Sequence, residues 1–155
     1  MEGSFQDKEK EKIRKPLKIL IVESNQEIAD LVKDILENED HQVTAFTSKE
    51  RALEELKRKK EENSPFDWVI TNRGFGERLQ SKMDGITFAE TIRKEKLGNP
   101  YITMLSRSAE AYSQKNLKEM GIQHTIGKPF EKGQLLELVS VVRQFRTQPE
   151  NPQIA

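Results

Sequence analysis

The chain has 155 residues, no cysteine, and 26 basic against 26 acidic side chains, so its formal net charge is zero. This length suits one domain with a single substantial core. The charge balance speaks against a general nucleic-acid grip, and the lack of cysteine excludes disulfides, thiol catalysis and zinc-thiolate sites. Residues 1–15 are too charged for a secretory signal and no apolar run approaches a membrane span, so a cytoplasmic protein is expected.

Residues 1–16, rich in Lys and Glu, read as a charged disordered tail. Leu17 to Val22 is a short apolar run suited to a strand buried on both faces. Ile28, Leu31, Val32, Ile35 and Leu36 follow at the spacing of one helical face, with Ser24 and Glu27 positioned as a capping box. Gln42 to Phe46 reads as a second strand. Thr47 and Glu50 suggest the next cap, and Ala52, Leu53 and Leu56 give a thin apolar stripe that runs into the solvated stretch Lys57 to Glu62.

Phe66 to Thr71 is the predicted third strand, and Asn72 to Asp84 a polar loop. Ile86, Phe88, Ala89 and Ile92 mark a helix that Gly98 and Pro100 end. Tyr101 to Leu105 is a fourth strand, Ala109 to Met120 a weak helix closed by Gly121, and Ile122 to Ile126 a fifth strand of low apolarity. Leu135, Leu138, Val139, Val142 and Phe145 mark a strong last helix, and residues 147–155 read as a disordered tail.

Five strands alternating with helices imply right-handed βαβ units: an α/β, doubly wound, five-stranded parallel sheet with helices on both faces. In such sheets the site lies beyond the carboxyl ends of the strands. Glu23, Ser24, Asn72, Ser106 and Lys128 stand there and are expected to converge.

The most informative stretch is Asp67-Trp68-Val69-Ile70-Thr71-Asn72, an apolar strand running into a polar loop, with Met83-Asp84-Gly85 after it. Together with Ile19 to Asn25, Pro100 to Ser106 and Lys128-Pro129-Phe130, these motifs occur in order, each at a strand end. On them the chain resembles a response-regulator receiver domain of the chemotaxis-regulator-like type, over a predicted domain of residues 17–146. The resemblance implies the flavodoxin-like (βα)5 receiver fold of two-component signalling. It also implies a chemistry in which acidic residues hold Mg²⁺, an aspartate takes a phosphoryl group from a kinase, and a hydroxyl and a lysine hold the phosphoryl oxygens.

Against that pattern, Asn72 stands where the acceptor aspartate is expected, Ser24 replaces the second acid, and Thr125 replaces an aromatic switch residue. The loop from Asn72 to Met83 is also longer than usual. Of three expected carboxylates only Glu23 remains, so no cofactor is expected and Mg²⁺ binding should be weak or absent. The chain in this respect resembles the pseudo-receivers, which keep the fold and lose the phosphoryl cycle.

Single residues also have plainer readings. Ser24 is a degraded metal ligand or a helix cap, the cap being favoured by Glu27. Lys128 is expected to swing onto Glu23 or the Asn72 side-chain oxygen. Ser106 is a relic hydroxyl or a loop partner; a catalytic serine is disfavoured because no nucleophile-elbow glycines flank it. His41 and His124 lack metal-ligand spacing and read as surface residues, Asp84 as a turn-former, and Trp68 as core. The loop 73–82 is a surface insertion, a lid, or a partner-binding element.

The expectation is therefore a non-enzymatic module acting by phosphorylation-independent protein–protein contact, with a signalling kinase or downstream effector as partner. No nucleic acid and no membrane span are expected. The resemblance places the contact face on the fourth helix, fifth strand and fifth helix, with Tyr112, Lys115, Lys118, His124 and Thr125 as candidates. The alternative is a phosphorylatable regulator with a displaced acceptor, such as Glu77 or Asp84. An unrelated doubly wound enzyme or nucleotide binder is disfavoured by the missing glycine-rich loop after the first strand.

Overall fold

The alternation of short apolar runs with amphipathic stretches produces five strands and five helices in a computed structural model that describes residues 15–74, 81–107 and 114–147. In chain order they are β1 (Lys18–Val22), α1 (Gln26–Glu37), β2 (Gln42–Phe46), α2 (Lys49–Glu61), β3 (Trp68–Asn72), α3 (Gly85–Lys94), β4 (Tyr101–Ser106), α4 (Gln114–Glu119), β5 (His124–Gly127) and α5 (Lys132–Thr147). All strand pairs are parallel and the order is β2-β1-β3-β4-β5.

Central strands of a covered parallel sheet must be apolar on both faces. β3 and β4 are buried along their whole length, whereas the edge strands β2 and β5 keep half-exposed or exposed positions. Side chains of β1 alternate between the two cores. Leu20 and Val22 pack with Ala52, Leu56, Phe88, Ile92 and Leu117, from α2, α3 and α4. Ile19 and Ile21 face the other way, onto Val32, Leu36, Leu135 and Val142 of α1 and α5. Trp68 is core as expected, and its indole N–H donates to Thr103 Oγ1 at 3.0 Å, so its one polar atom is satisfied.

Three local readings are corrected. The cap of α1 is Asn25, whose side chain accepts from the Ile28 N–H at 3.2 Å, and Ser24 serves elsewhere. The cap of α2 is Ser48 rather than Thr47. His41 is buried rather than on the surface, because its Nδ1 accepts the Leu17 N–H at 3.0 Å and ties the chain entering β1 to the residue before β2. No helix among the described residues is long and apolar enough to cross a membrane.

Candidate functional site

The strand order reverses between β1, β2 and β3, and in open parallel sheets the site lies at that reversal, beyond the carboxyl ends of the strands. Glu23 leaves β1 there and is 1% exposed. Its backbone N–H is anchored on Phe46 O at 3.0 Å. Its Oε2 accepts from the Asn25 N–H at 3.1 Å and the Ser24 hydroxyl at 3.4 Å. Lys128 Nζ lies 2.6 Å from Oε1, a charge contact off the line of a well-directed hydrogen bond. Of the two partners expected for Lys128, the structure selects Glu23. Lys128 arrives from β5 after a backbone bond from its N–H to Ser106 O at 2.9 Å, which also brings the buried Ser106 to the same end of the sheet.

Asn72 ends β3 and is 5% exposed. Its Nδ2 donates to Ser24 Oγ at 3.0 Å. Its Oδ1 accepts from a residue that the sequence reading passed over: the Lys49 ammonium, at 2.6 Å. Lys49 is the first residue of α2, is 1% exposed, and also donates to Gly74 O at 2.7 Å. Burial pulls its pKa from 10.5 down to about 8; the carboxylates of Glu23, Asp84 and Glu50 resist that shift, and Lys128 reinforces it.

Two features mark Lys49 as unusual. Among the described residues no carboxylate pairs with it directly, although lysine is almost never fully buried without one, and a cation in the first turn opposes the helix dipole. The second was the one signal visible in sequence, had the start of α2 been placed one residue after Ser48. The neighbouring Glu50 completes the arrangement. Its Oε1 accepts from Ser81 Oγ at 2.9 Å and its Oε2 from the Lys82 N–H at 3.0 Å. Burial raises the Glu50 pKa, but the hydrogen bonds from its own backbone, Ser81, Lys82 and Ser48 outweigh that and hold it below the usual value. Adjacent residues of α2 therefore grip both described ends of the segment between β3 and α3.

Met83-Asp84-Gly85 closes that segment. Asp84 caps α3 by accepting from the Thr87 N–H at 2.8 Å. Gly85 donates its N–H to Arg73 O at 2.7 Å, and a Cβ at Gly85 would lie 2.2 Å from Asn72 O. The glycine is thus a steric requirement of the close approach of α3 to the end of β3.

A Mg²⁺ site would need several free hard oxygens, carboxylates first among them. Here Glu23 is engaged by Lys128, and the Asn72 and Gly74 oxygens are engaged by Lys49. No cluster of three or more acidic or imidazole side chains suited to a metal occurs among the described residues. The donor set does not fit a dication.

Of the candidate contact residues, Lys115 and Lys118 are exposed on α4, and His124 and Thr125 are half-buried on the edge strand β5. Burial lowers the His124 pKa. Tyr112 lies outside the described residues, as does Glu77.

Comparison with known proteins agrees with this architecture. The family model for the response regulator receiver domain matches residues 19–140. A search of curated proteins found no match. Among solved structures, the chain is similar to the chemotaxis response regulator CheY4 of Vibrio cholerae, with TM-score 0.67 and 22% identity, covering 83% of this chain and 99% of that one. It is similar to a CheY-like receiver domain protein of Methanospirillum hungatei JF-1, with TM-score 0.70 and 21% identity, covering 84% and 96%. It is also similar to the receiver domain of a sensor histidine kinase from Pseudomonas aeruginosa PAO1, with TM-score 0.67 and 19% identity, covering 83% and 98%; that structure has a magnesium ion coordinated in its active-site cleft. The sheet order, the strand-end residues and the matching family model together make this chain a member of the response-regulator receiver family, the receiver module of two-component signalling.

Proposed function

We propose that this chain is a degenerate receiver, a pseudo-receiver that signals by protein–protein contact without a phosphoryl cycle. One observation carries the reading. Asn72, at the end of β3 where the resemblance puts the acceptor, is a neutral amide with both ends engaged, by Lys49 and by Ser24. An amide is a poor nucleophile, and this one has no free oxygen to present. The Glu23–Lys128 pair points the same way, since the lysine is held by the carboxylate.

On this reading the module performs no catalysis of its own and needs no cofactor. Its partner is a protein, either a signalling kinase or a downstream effector, and not a nucleic acid. The contact face is α4, β5 and α5, with Tyr112, Lys115, Lys118, His124 and Thr125 as the residues to vary. A displaced acceptor is the weaker reading, because the Asp84 carboxylate is spent on capping α3.

The test is intact-mass spectrometry after incubation with acetyl phosphate and Mg²⁺. The expected result is an unchanged mass, with capture of the native partner unaffected by the phosphodonor. A stable phosphoryl adduct overturns the reading; one mapped to Asp84 or Glu77 establishes the displaced acceptor instead.

A further inference from the structure

The Lys49 ammonium touches two oxygens, an amide and a backbone carbonyl, at 2.6 and 2.7 Å. These are hard donors of the kind that take a hard cation. We propose that Lys49 is a built-in replacement for a bound dication: a cation carried by the chain, which takes the oxygens at the end of β3 and shuts that space to Mg²⁺. The inference deepens the reading of the chain as a pseudo-receiver and rests on it, because a module without a phosphoryl cycle has no use for an exchangeable metal.

Three observations support it. The first is geometric. Mg²⁺ binds oxygen at about 2.0–2.1 Å, so an ion on Asn72 Oδ1 or Gly74 O would collide with Nζ, and the two cations exclude each other. The second is that helix formation does not call for Lys49: a cation in the first turn is unfavourable there, and the ammonium is fully buried with no carboxylate in contact among the described residues. The third is the role of its neighbour. Glu50 holds Ser81 and Lys82 while Lys49 holds Gly74, so the first turn of α2 fastens both described ends of the segment leaving β3. A tethered cation keeps this arrangement at every Mg²⁺ concentration, whereas a bound ion would exchange with solvent.

The experiment uses Mn²⁺ as the probe and reads paramagnetic broadening of backbone amide resonances near Asn72 and Gly74. Three proteins are compared: the unaltered chain, the Ser24→Asp/Asn72→Asp variant, and that variant with Lys49→Met added. The unaltered chain should show no specific broadening. Restoring the two carboxylates should give weak binding at best while Lys49 is present. Adding Lys49→Met should tighten Mn²⁺ binding by about tenfold or more, as expected when a competing positive charge is removed at contact distance. Lys49→Arg in the same background should keep the metal out, and Lys49→Ala replaces Lys49→Met if the latter does not fold. Equal affinity with and without Lys49, including equal failure to bind, overturns the inference. That failure is separable from failure of the functional reading, which turns on the mass of the unaltered chain.

Discussion

Lys49 Nζ donates to Asn72 Oδ1, and this contact sets the polarity of the groups behind it. An ammonium has no acceptor, so the amide must turn its oxygen to Lys49 and its Nδ2 to Ser24. The Ser24 oxygen accepts that N–H and donates its own O–H to Glu23, which faces Lys128. The chain of contacts runs from one lysine to another through Asn72, Ser24 and Glu23. An aspartate at position 72 would not fit this sequence of donors and acceptors without rearrangement.

The first prediction concerns pH. Lys49 has a folded pKa of about 8 against 10.5 in the unfolded chain. Between those values the unfolded state binds more protons, so stability rises with pH across that window. Below about pH 8 the buried charge opposes folding by something on the order of 3 kcal/mol, relieved as the ammonium loses its proton. The neutral amine still has protons for Asn72 and Gly74, so the contacts survive. Urea unfolding at pH 7 and pH 10 should show the unaltered chain gaining on Lys49→Met by up to about 3 kcal/mol. Parallel pH profiles for the two proteins would refute the buried charge.

His41 gives a second pH dependence, of known sign. Its Nδ1 accepts the Leu17 N–H, which requires the neutral ring. Burial lowers its pKa below 6.5, with Arg143 adding to the shift and Glu39 and Asp40 opposing it. The unfolded state therefore takes up the proton first. Stability is complete above pH 6.5 and is lost as pH falls from there towards the lower folded value. His41→Phe loses the Leu17 hydrogen bond at every pH. Its urea midpoint should fall less than that of the unaltered chain between pH 7.5 and 5. A steeper fall in the variant would contradict the assignment.

The fold was legible because periodicity reports burial. Gln42 to Phe46 is bounded correctly from sequence, and the limits of the other strands lie within two residues of those expected. The site was legible only as far as strand ends carry chemistry. Glu23, Ser24, Asn72, Ser106 and Lys128 could be placed at one end of the sheet, but which donor met which acceptor could not. Ser24 and Asn25 are both competent caps; Asn72 and Glu23, distant or buried partners, decide between them by engaging Ser24. Lys49 reads in sequence as one more charge at the start of a charged helix. Its partners lie 23 and 25 positions away, beyond any local pattern. His41 was misread for the same reason, since its partner is 24 positions away.

Gly85 offers a steric test of how tightly α3 packs on the end of β3. A methyl group there meets the Asn72 carbonyl oxygen at 2.2 Å, which backbone must move to relieve. Gly85→Ala should cost about 1–3 kcal/mol by overpacking and should shift the amide resonances of Asn72 and Arg73. Gly133 is the control. It lies in α5 with nothing within 4 Å of a Cβ, so Gly133→Ala should be neutral or stabilising by up to about 1 kcal/mol. Similar thermal midpoints for the two variants would show that the close approach is not maintained in solution.

Arg93 predicts a loss of a different kind. Its guanidinium donates to Asn99 Oδ1, Pro100 O, Gly121 O and Gln123 Oε1, tying the end of α3 to the approaches of β4 and β5. Burial, reinforced by Arg146, lowers its pKa to about 10. Lysine cannot reproduce a planar fork with several fixed donors. Arg93→Lys should therefore leave buried carbonyls unpaired and destabilise by about 2–4 kcal/mol, at roughly 1–3 kcal/mol for each unsatisfied group. The loss should appear in urea unfolding, with early hydrogen exchange at Ile102 and Gln123, whose amides are bonded in that region. A fall of less than about 0.5 kcal/mol would place Arg93 among ordinary surface residues.

The last prediction joins Lys49 to the missing acid. Asn72→Asp alone restores a carboxylate at the end of β3, but that carboxylate arrives beside Lys49. It should become the counterion of the ammonium, lifting the Lys49 pKa above its present value of about 8. Ser24 then has one proton and two carboxylates to serve, Glu23 and the new one, so one of its contacts is lost. Because Lys49 is buried with no direct counterion among the described residues, supplying one should stabilise the fold at pH 7, and the gain in stability between pH 8 and pH 10 should shrink. The space for Mg²⁺ stays closed, so incubation with acetyl phosphate and Mg²⁺ should leave the mass unchanged. A Mg²⁺-dependent phosphoryl adduct on Asn72→Asp would show that the acceptor was the only missing part, and that Lys49 gives way to the metal.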